Sequence, residues 1–378
     1  MRSLIIFLIS SIILLSCSTG KKAYERGDYF TATMQAVNRL RNNPDSEKAM
    51  NALKDSYPMA LKYYQGRIDN ALRSGGQFKY SEVVDYYERM NQLSEEVSRC
   101  PAALNLFPDV NFYTTELSKA RELAAEEHYK AAKDNEKTDT RNSWKEAYYH
   151  YQQADCYVPG YKDVEEGMEN AKFYATWKVI VEQIPVPRNY QLTSDFFLNQ
   201  VIEALTSQRP NEFVEYYSPE SAKKAGLKNP DQVLRMNFDE FMIGNVYDKE
   251  TTIDVSRDSV EVGSVTLKDG TIKKVYNTVK AKYTTYRREI ISNGVLDVII
   301  IDLPVNRVVA QRKFPGQFVW FTEWSSFNGD ERALSKDQLA SCNKKPVPPP
   351  GPQALFIEFT KPIYNQVTPF LKEFYRKY

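Results

Sequence analysis

Lys178-Val179-Ile180-Val181-Glu182-Gln183-Ile184, closed by Pro185 and Pro187, is the stretch on which the fold of this 378-residue chain turns. The run is β-branched, too short for a stable helix, and followed by prolines that favour extended backbone, so it reads as a strand. Before Thr176, alanine, glutamate, lysine and leucine recur at spacings of three and four residues, the period of packed helices. A helical domain therefore ends at Thr176 and a sheet-containing domain begins. The expected organisation is α+β with two domains: a helical array over 17–175, a mixed α/β sandwich with an antiparallel meander over 176–344, and a proline-rich spacer with a tail helix over 345–378. About 360 residues remain after an amino-terminal leader, and at roughly 150 residues per domain that length suits two cores.

In the helical half, Gly27-Asp28-Tyr29 is followed by Ala32, Ala36, Leu40 and Pro44, and the same frame returns as Ala147, Tyr151, Ala154 and Pro159. Small residues at these places let helices approach closely, and the proline stops the helix at the next hairpin. The frame resembles the second helix of the tetratricopeptide repeat. Arg39 stands where that family has a small residue, and the middle unit, Phe78 to Leu93, lacks the proline. The resemblance implies a degenerate array with a concave groove, in which Tyr148 and Tyr149 are candidate contact residues. An irregular helical bundle is the alternative.

Downstream, Asp195 to Ser207 reads as an amphipathic helix capped by Ser194, Glu212 to Tyr216 as a strand, and Pro219 onward as a helix of about ten residues. Asp239 to Val246 reads as a third strand, completing β-α-β-α-β. A meander follows in Thr252–Val255, Val260–Leu267, Val275–Tyr286, Val295–Asp302 and Val308–Phe314, with turns expected at Lys268-Asp269-Gly270 and Ser292-Asn293-Gly294. The run Phe314-Pro315-Gly316-Gln317-Phe318-Val319-Trp320-Phe321-Thr322-Glu323-Trp324 is the densest in aromatics; Phe318, Trp320 and Trp324 are candidate partner contacts, unless their neighbours simply fill the core. Pro346-Val347-Pro348-Pro349-Pro350-Gly351-Pro352 reads as a stiff spacer, and Ala354 to Tyr378 as a tail that folds back or reaches a partner.

The order of elements, with Gly244 at the place where the third strand ends just before a hairpin, resembles the α/β domain shared by the curli secretion channel lipoprotein, the lipoprotein activators of penicillin-binding proteins and the amino-terminal domain of TolB. Tyr216-Tyr217-Ser218 replaces those families' acidic-arginine ending of the second strand. The resemblance implies a scaffold or accessory subunit of an outer-membrane assembly or secretion complex. Alternatives are a regulator of a peptidoglycan synthase, or a glycan-binding or hydrolytic lipoprotein.

At the amino terminus, Arg2 precedes an apolar run from Leu4 to Leu15, too short to span a bilayer, and then Ser16-Cys17. Leu14-Leu15-Ser16-Cys17 resembles the lipobox of bacterial lipoproteins, which implies removal of 1–16 and acylation of Cys17. An ordinary signal peptide is the alternative. Ser18-Thr19 lacks the aspartate that retains many lipoproteins at the inner membrane, so attachment to the outer membrane, facing the periplasm, is expected.

Signals for chemistry are sparse. Fifty basic against 49 acidic residues provide no broad field for nucleic acid. The two histidines, His128 and His150, lie in no metal-binding frame, and each reads as an exposed or packing residue. Ser221-Ala222-Lys223-Lys224 meets the Ser-x-x-Lys pattern of penicillin-recognising enzymes without its companion elements. Asp254 and Asp258 fit a solvated strand face. No catalytic residue, cofactor, metal or small-molecule substrate is expected; the partners expected are membrane lipid through Cys17 and other envelope proteins. Cys100, Cys156 and Cys342 are odd in number and read as buried free thiols.

Overall fold

A computed structural model describes residues 20–207 and 211–378, so the expected leader, 1–16, and Cys17 lie outside the described residues. The chain forms two compact units, 1–175 and 176–378. Together they make an α+β protein of two domains, and no described helix is long and apolar enough to cross a membrane.

The first unit contains α1 (Lys21–Glu25), α2 (Tyr29–Asn42), α3 (Glu47–Ser74), α4 (Lys79–Ser98), α5 (Pro101–Leu104), α6 (Thr114–Thr138), α7 (Arg141–Tyr157) and α8 (Val164–Ala175). Each long helix packs on the next one along the chain. Caps set their starts: Asp28 accepts from the Thr31 N–H, and Thr140 with Ser143 forms a reciprocal capping box. Ala32, Ala36, Ala147 and Ala154 are fully buried, as close helix approach requires. A Cβ on Gly167 would meet the Tyr151 ring at 2.6 Å, so this glycine of α8 makes room for the ring from α7.

The second unit contains β1 (Trp177–Val181), α9 (Gln191–Ser207), β2 (Val214–Tyr217), α10 (Pro219–Lys224), β3 (Gln232–Ile243), β4 (Tyr247–Thr266), β5 (Ile272–Asp302), β6 (Arg307–Gly329), α11 (Lys336–Cys342) and α12 (Pro352–Arg376). β1 runs parallel to β2 on one side and β3 on the other; the remaining pairs are antiparallel. β5 is the spine. It holds β3 against its second half, β4 against its first half, and β6 along its other edge.

Several expectations need correction. Ser292-Asn293-Gly294 is no turn but the middle of the 31-residue β5, where Gly294 pairs with Phe241 and with Gly316. Likewise Pro315-Gly316 interrupts nothing, and β6 runs straight through it. Gly294 and Gly316 sit under α12: a Cβ on the first would meet the Phe359 ring at 2.9 Å, and one on the second would overlap the Phe359 carbonyl oxygen. Close backbone approach, not reversal, explains both glycines. Gly244 precedes no hairpin either, because β3 and β4 pair with β5 in succession and share one direction. The helix expected from Asp195 begins at Gln191, and Ser194 lies buried with its hydroxyl directed at the Ile184 carbonyl instead of capping. α10 has six residues, not ten.

The segment 345–378 is part of the second unit instead of a separate tail. Phe356, Phe359, Ile363, Val367, Leu371 and Tyr375 of α12 are all at 0 % exposure, and Phe238 and Phe241 of β3 pack against them. A bulge at Asp239 keeps those two phenylalanines on one face. α11 packs over Val279, Ala281 and Tyr283 and α12 over Gly294 and Leu296, so the alternation of β5 puts the two helices on opposite faces. The proline-rich link between them passes the β6 edge, where the Val347 N–H reaches the Thr322 hydroxyl at 3.4 Å. Cys100 is buried, Cys342 half-buried and Cys156 exposed, and all three are free thiols.

Replacing Phe359 by alanine should cost the second unit about 3 to 5 kcal/mol, the usual range for a fully buried phenylalanine. Gly316→Val should cost about 1 to 3 kcal/mol by forcing α12 off the sheet. Urea denaturation followed by tryptophan fluorescence checks both, and a change under about 0.5 kcal/mol for either would contradict this packing.

Candidate interaction surface

β6 presents two rows of side chains. Phe318, Trp320 and Trp324 pair with Ser292, Ile290 and Tyr286, on the face that carries α12. Phe318 packs against the unit's core, and the two tryptophans are half-buried. Trp324 stacks on Tyr286 with ring centroids 5.4 Å apart, and Arg288 lies over its ring while gripping Asp248 through two hydrogen bonds of 2.7 and 2.8 Å. That guanidinium holds the Asp248 carboxyl below its ordinary pKa.

The alternate row faces outward. Val319 and Phe321 are 40 % and 52 % exposed, beside Ile291 of β5 at 39 %, Tyr247 of β4 at 63 % and Met242 of β3 at 54 %. Register makes these one strip: Ile291 pairs with Val319, Glu289 sits between Tyr247 and Phe321, and Met242 leads through Asn293 to Gln317. Among the described residues, α12 covers the opposite face and α11 the region of Tyr283, which leaves the strip open. Arg287 lies 4.2 Å over the Phe321 ring and bonds Glu289 and Glu323 at 2.8 and 2.6 Å, so one edge of the strip is charged. Past Met242 the surface dips over the Gly294–Gly316 pair, between Glu240, Pro315 and Gln317. The sequence carried the alternation of these residues but not its phase.

In the helical unit, Tyr148 and Tyr149 meet edge to face at 5.7 Å. Tyr148 is half-buried against the Ala147 and Tyr151 cluster under Lys172, and Tyr149 is the more exposed ring. Cys17 lies outside the described residues.

The two histidines, read separately from the sequence, come together. His128 of α6 and His150 of α7 bring their Nδ1 atoms to 3.0 Å, and His128 Nε2 lies 3.2 Å from the Ser81 hydroxyl of α4. Phe78, in the left-handed region at φ 59°, stacks on His128 at 4.3 Å, and Tyr157 stacks near it. Ser81, His128 and His150 thus have the connectivity of a nucleophile, base and orienting group. The amides that would stabilise an oxyanion are engaged, however: the Tyr80 N–H donates to Glu127 and the Ser81 N–H to the Phe78 carbonyl. Burial, with His150 second, lowers the His128 pKa to about 4, which makes it a weak base. The arrangement serves as a polar pin across three helices. Twenty-two residues separate the histidines, so only helix pairing could bring them together. In comparisons with protein-family models and with curated proteins, nothing matches the chain.

His128 titrates in the unfolded chain near 6.5 and in the folded unit near 4, and burial also lowers His150. Stability is therefore complete above pH 6.5 and falls as pH drops toward 4, because only the unfolded chain takes up the proton over that window. The loss should reach up to about 3 kcal/mol, at 1.36 kcal/mol per pKa unit. Glu127 and Glu146 beside the pair do not reverse that sign. His128→Asn should flatten the slope between pH 6.5 and 4.5 in chemical denaturation; an unchanged slope would remove the pair as its source.

Proposed function

We propose that the protein is a lipid-anchored, non-catalytic scaffold or accessory subunit of an outer-membrane assembly or secretion complex. In this reading, residues 1–16 are removed, Cys17 is acylated, and the chain faces the periplasm. The helical unit acts as a degenerate array of the tetratricopeptide kind, and the α/β unit offers a second recognition face. The strip of Met242, Tyr247, Ile291, Val319 and Phe321 is the observation that carries the reading. Large apolar side chains gathered on an uncovered sheet face, with a charged edge, are suited to bind another protein. Each acyl CH₂ buried in the bilayer contributes about 0.8 kcal/mol, so two or three chains at Cys17 would hold the protein at the membrane. Tethering raises its local concentration for neighbours in the envelope, which then need only modest affinity.

Cys17→Ser should release a folded protein from the membrane fraction. Val319→Glu/Phe321→Glu should lower recovery of cross-linked envelope partners at least tenfold while leaving the thermal midpoint within about 2 °C, since both side chains are exposed. Unchanged partner recovery by a folded variant would rule out the strip. Secretion or assembly components in the eluate support the scaffold; a penicillin-binding protein supports the regulator.

A further inference from the structure

β6 ends at Gly329, opposite Ala281, so the β4–β5 ribbon continues past it as two strands alone, closed by the turn from Leu267 to Thr271. A two-stranded hairpin is marginal in water, and designs for solubility keep its end polar. Here the end is apolar. Ile272 is 68 % exposed, Tyr276 57 %, Val265 53 % and Leu267 45 %. Thr266 pairs with Ile272, Val265 with Lys273, and Gly263 with Val275, so Val265 and Val275 share one face while Ile272 and Tyr276 share the other.

Apolar residues on both faces bear on what covers the tip. Lower on the ribbon, where a protein element covers it, only one face is apolar: α11 and its approach seat on Val255, Val260, Val279 and Ala281. A tip that is apolar on both faces suits a medium that surrounds it. Charge agrees, because 260–280 carries four lysines, at 268, 273, 274 and 280, against Glu261 and Asp269. Of the two acids, Glu261 bonds Lys274 at 2.7 Å and Asp269 accepts from the Thr271 N–H. In a chain whose net charge is +1, this is a local cationic collar around an apolar point.

We infer that the β4–β5 tip docks on an anionic lipid surface. Val265, Leu267 and Ile272 enter the boundary between headgroups and acyl chains, and Lys268 and Lys273 meet the phosphates. From the Gly263–Val275 pair to the turn the ribbon is four residues, roughly 13 Å at ~3.3 Å each, enough for an insertion of about 5 to 10 Å. The membrane setting follows from the reading of Cys17, but the docking itself needs no acyl group.

The test uses the chain from Ser18 onward, unacylated and retaining both units, in co-sedimentation with vesicles of 70 % phosphatidylcholine and 30 % phosphatidylglycerol. Wild type should bind these at least tenfold more tightly than pure phosphatidylcholine vesicles. Leu267→Ser/Ile272→Ser and, separately, Lys268→Glu/Lys273→Glu should each lower the affinity at least tenfold, with circular dichroism and thermal midpoint unchanged. Failure of wild type to sediment with the anionic vesicles, or equal binding by the variants, overturns the inference. So does a wild-type dimer in sedimentation velocity that Leu267→Ser/Ile272→Ser converts to monomer, which would make a second copy the occupant. Failure of acylation at Cys17, read in cells, leaves this measurement untouched.

Discussion

Where Gly294 of β5 faces Gly316 of β6, the sheet has no side chains, and α12 descends onto it with the backbone of Phe359 and the side chain of Ile363. The second unit depends on that approach. It seats six fully buried α12 residues against the sheet, brings Phe238 and Phe241 under the helix by way of the bulge at Asp239, and turns a proline-rich carboxy-terminal segment into core. It also decides what the rest of β6 presents. With Gly316 directed at the helix, Phe318, Trp320 and Trp324 share the helix side, and Val319 and Phe321 are left outside.

The helical unit follows a different rule. Its helices meet through alanines and through Gly167, which accommodates the Tyr151 ring, and the space left between them is filled by aromatic side chains with polar ends. Tyr151 donates to Glu136, Tyr129 to Asp163 and Tyr161 to Glu126, while Lys162 pairs with Glu126 and lies over Tyr129. Satisfied groups of this kind give orientation to helices that small residues alone would let slide. The His128–His150 pair belongs to the same class, with the added property that a proton disrupts it. On the proposed reading the protein's selectivity would come from shape and local charge, since the net charge is +1.

Much of this organisation was legible along the chain. The change of period at Thr176, the β-α-β-α-β order, the Lys268-Asp269-Gly270 hairpin and the helical character of the first half are local properties: each depends on residues within one or two turns of one another. The continuity of β5 through Ser292-Asn293-Gly294 was not legible, because an Asn-Gly pair signals reversal when solvent surrounds it and close packing when a helix lies above it. The histidine pair was hidden for a related reason, since its members come from different helices.

By itself the sequence determined the α+β composition and the alternation of apolar and polar side chains, and it carries the run Leu14-Leu15-Ser16-Cys17. Which face of that alternation became core was a tertiary decision. Alternation has a period of two and no preferred phase until something covers one side. α12 supplied the cover, because Gly294 and Gly316 are where the sheet admits a helix backbone, and the strip from Met242 to Phe321 was left for solvent or a partner.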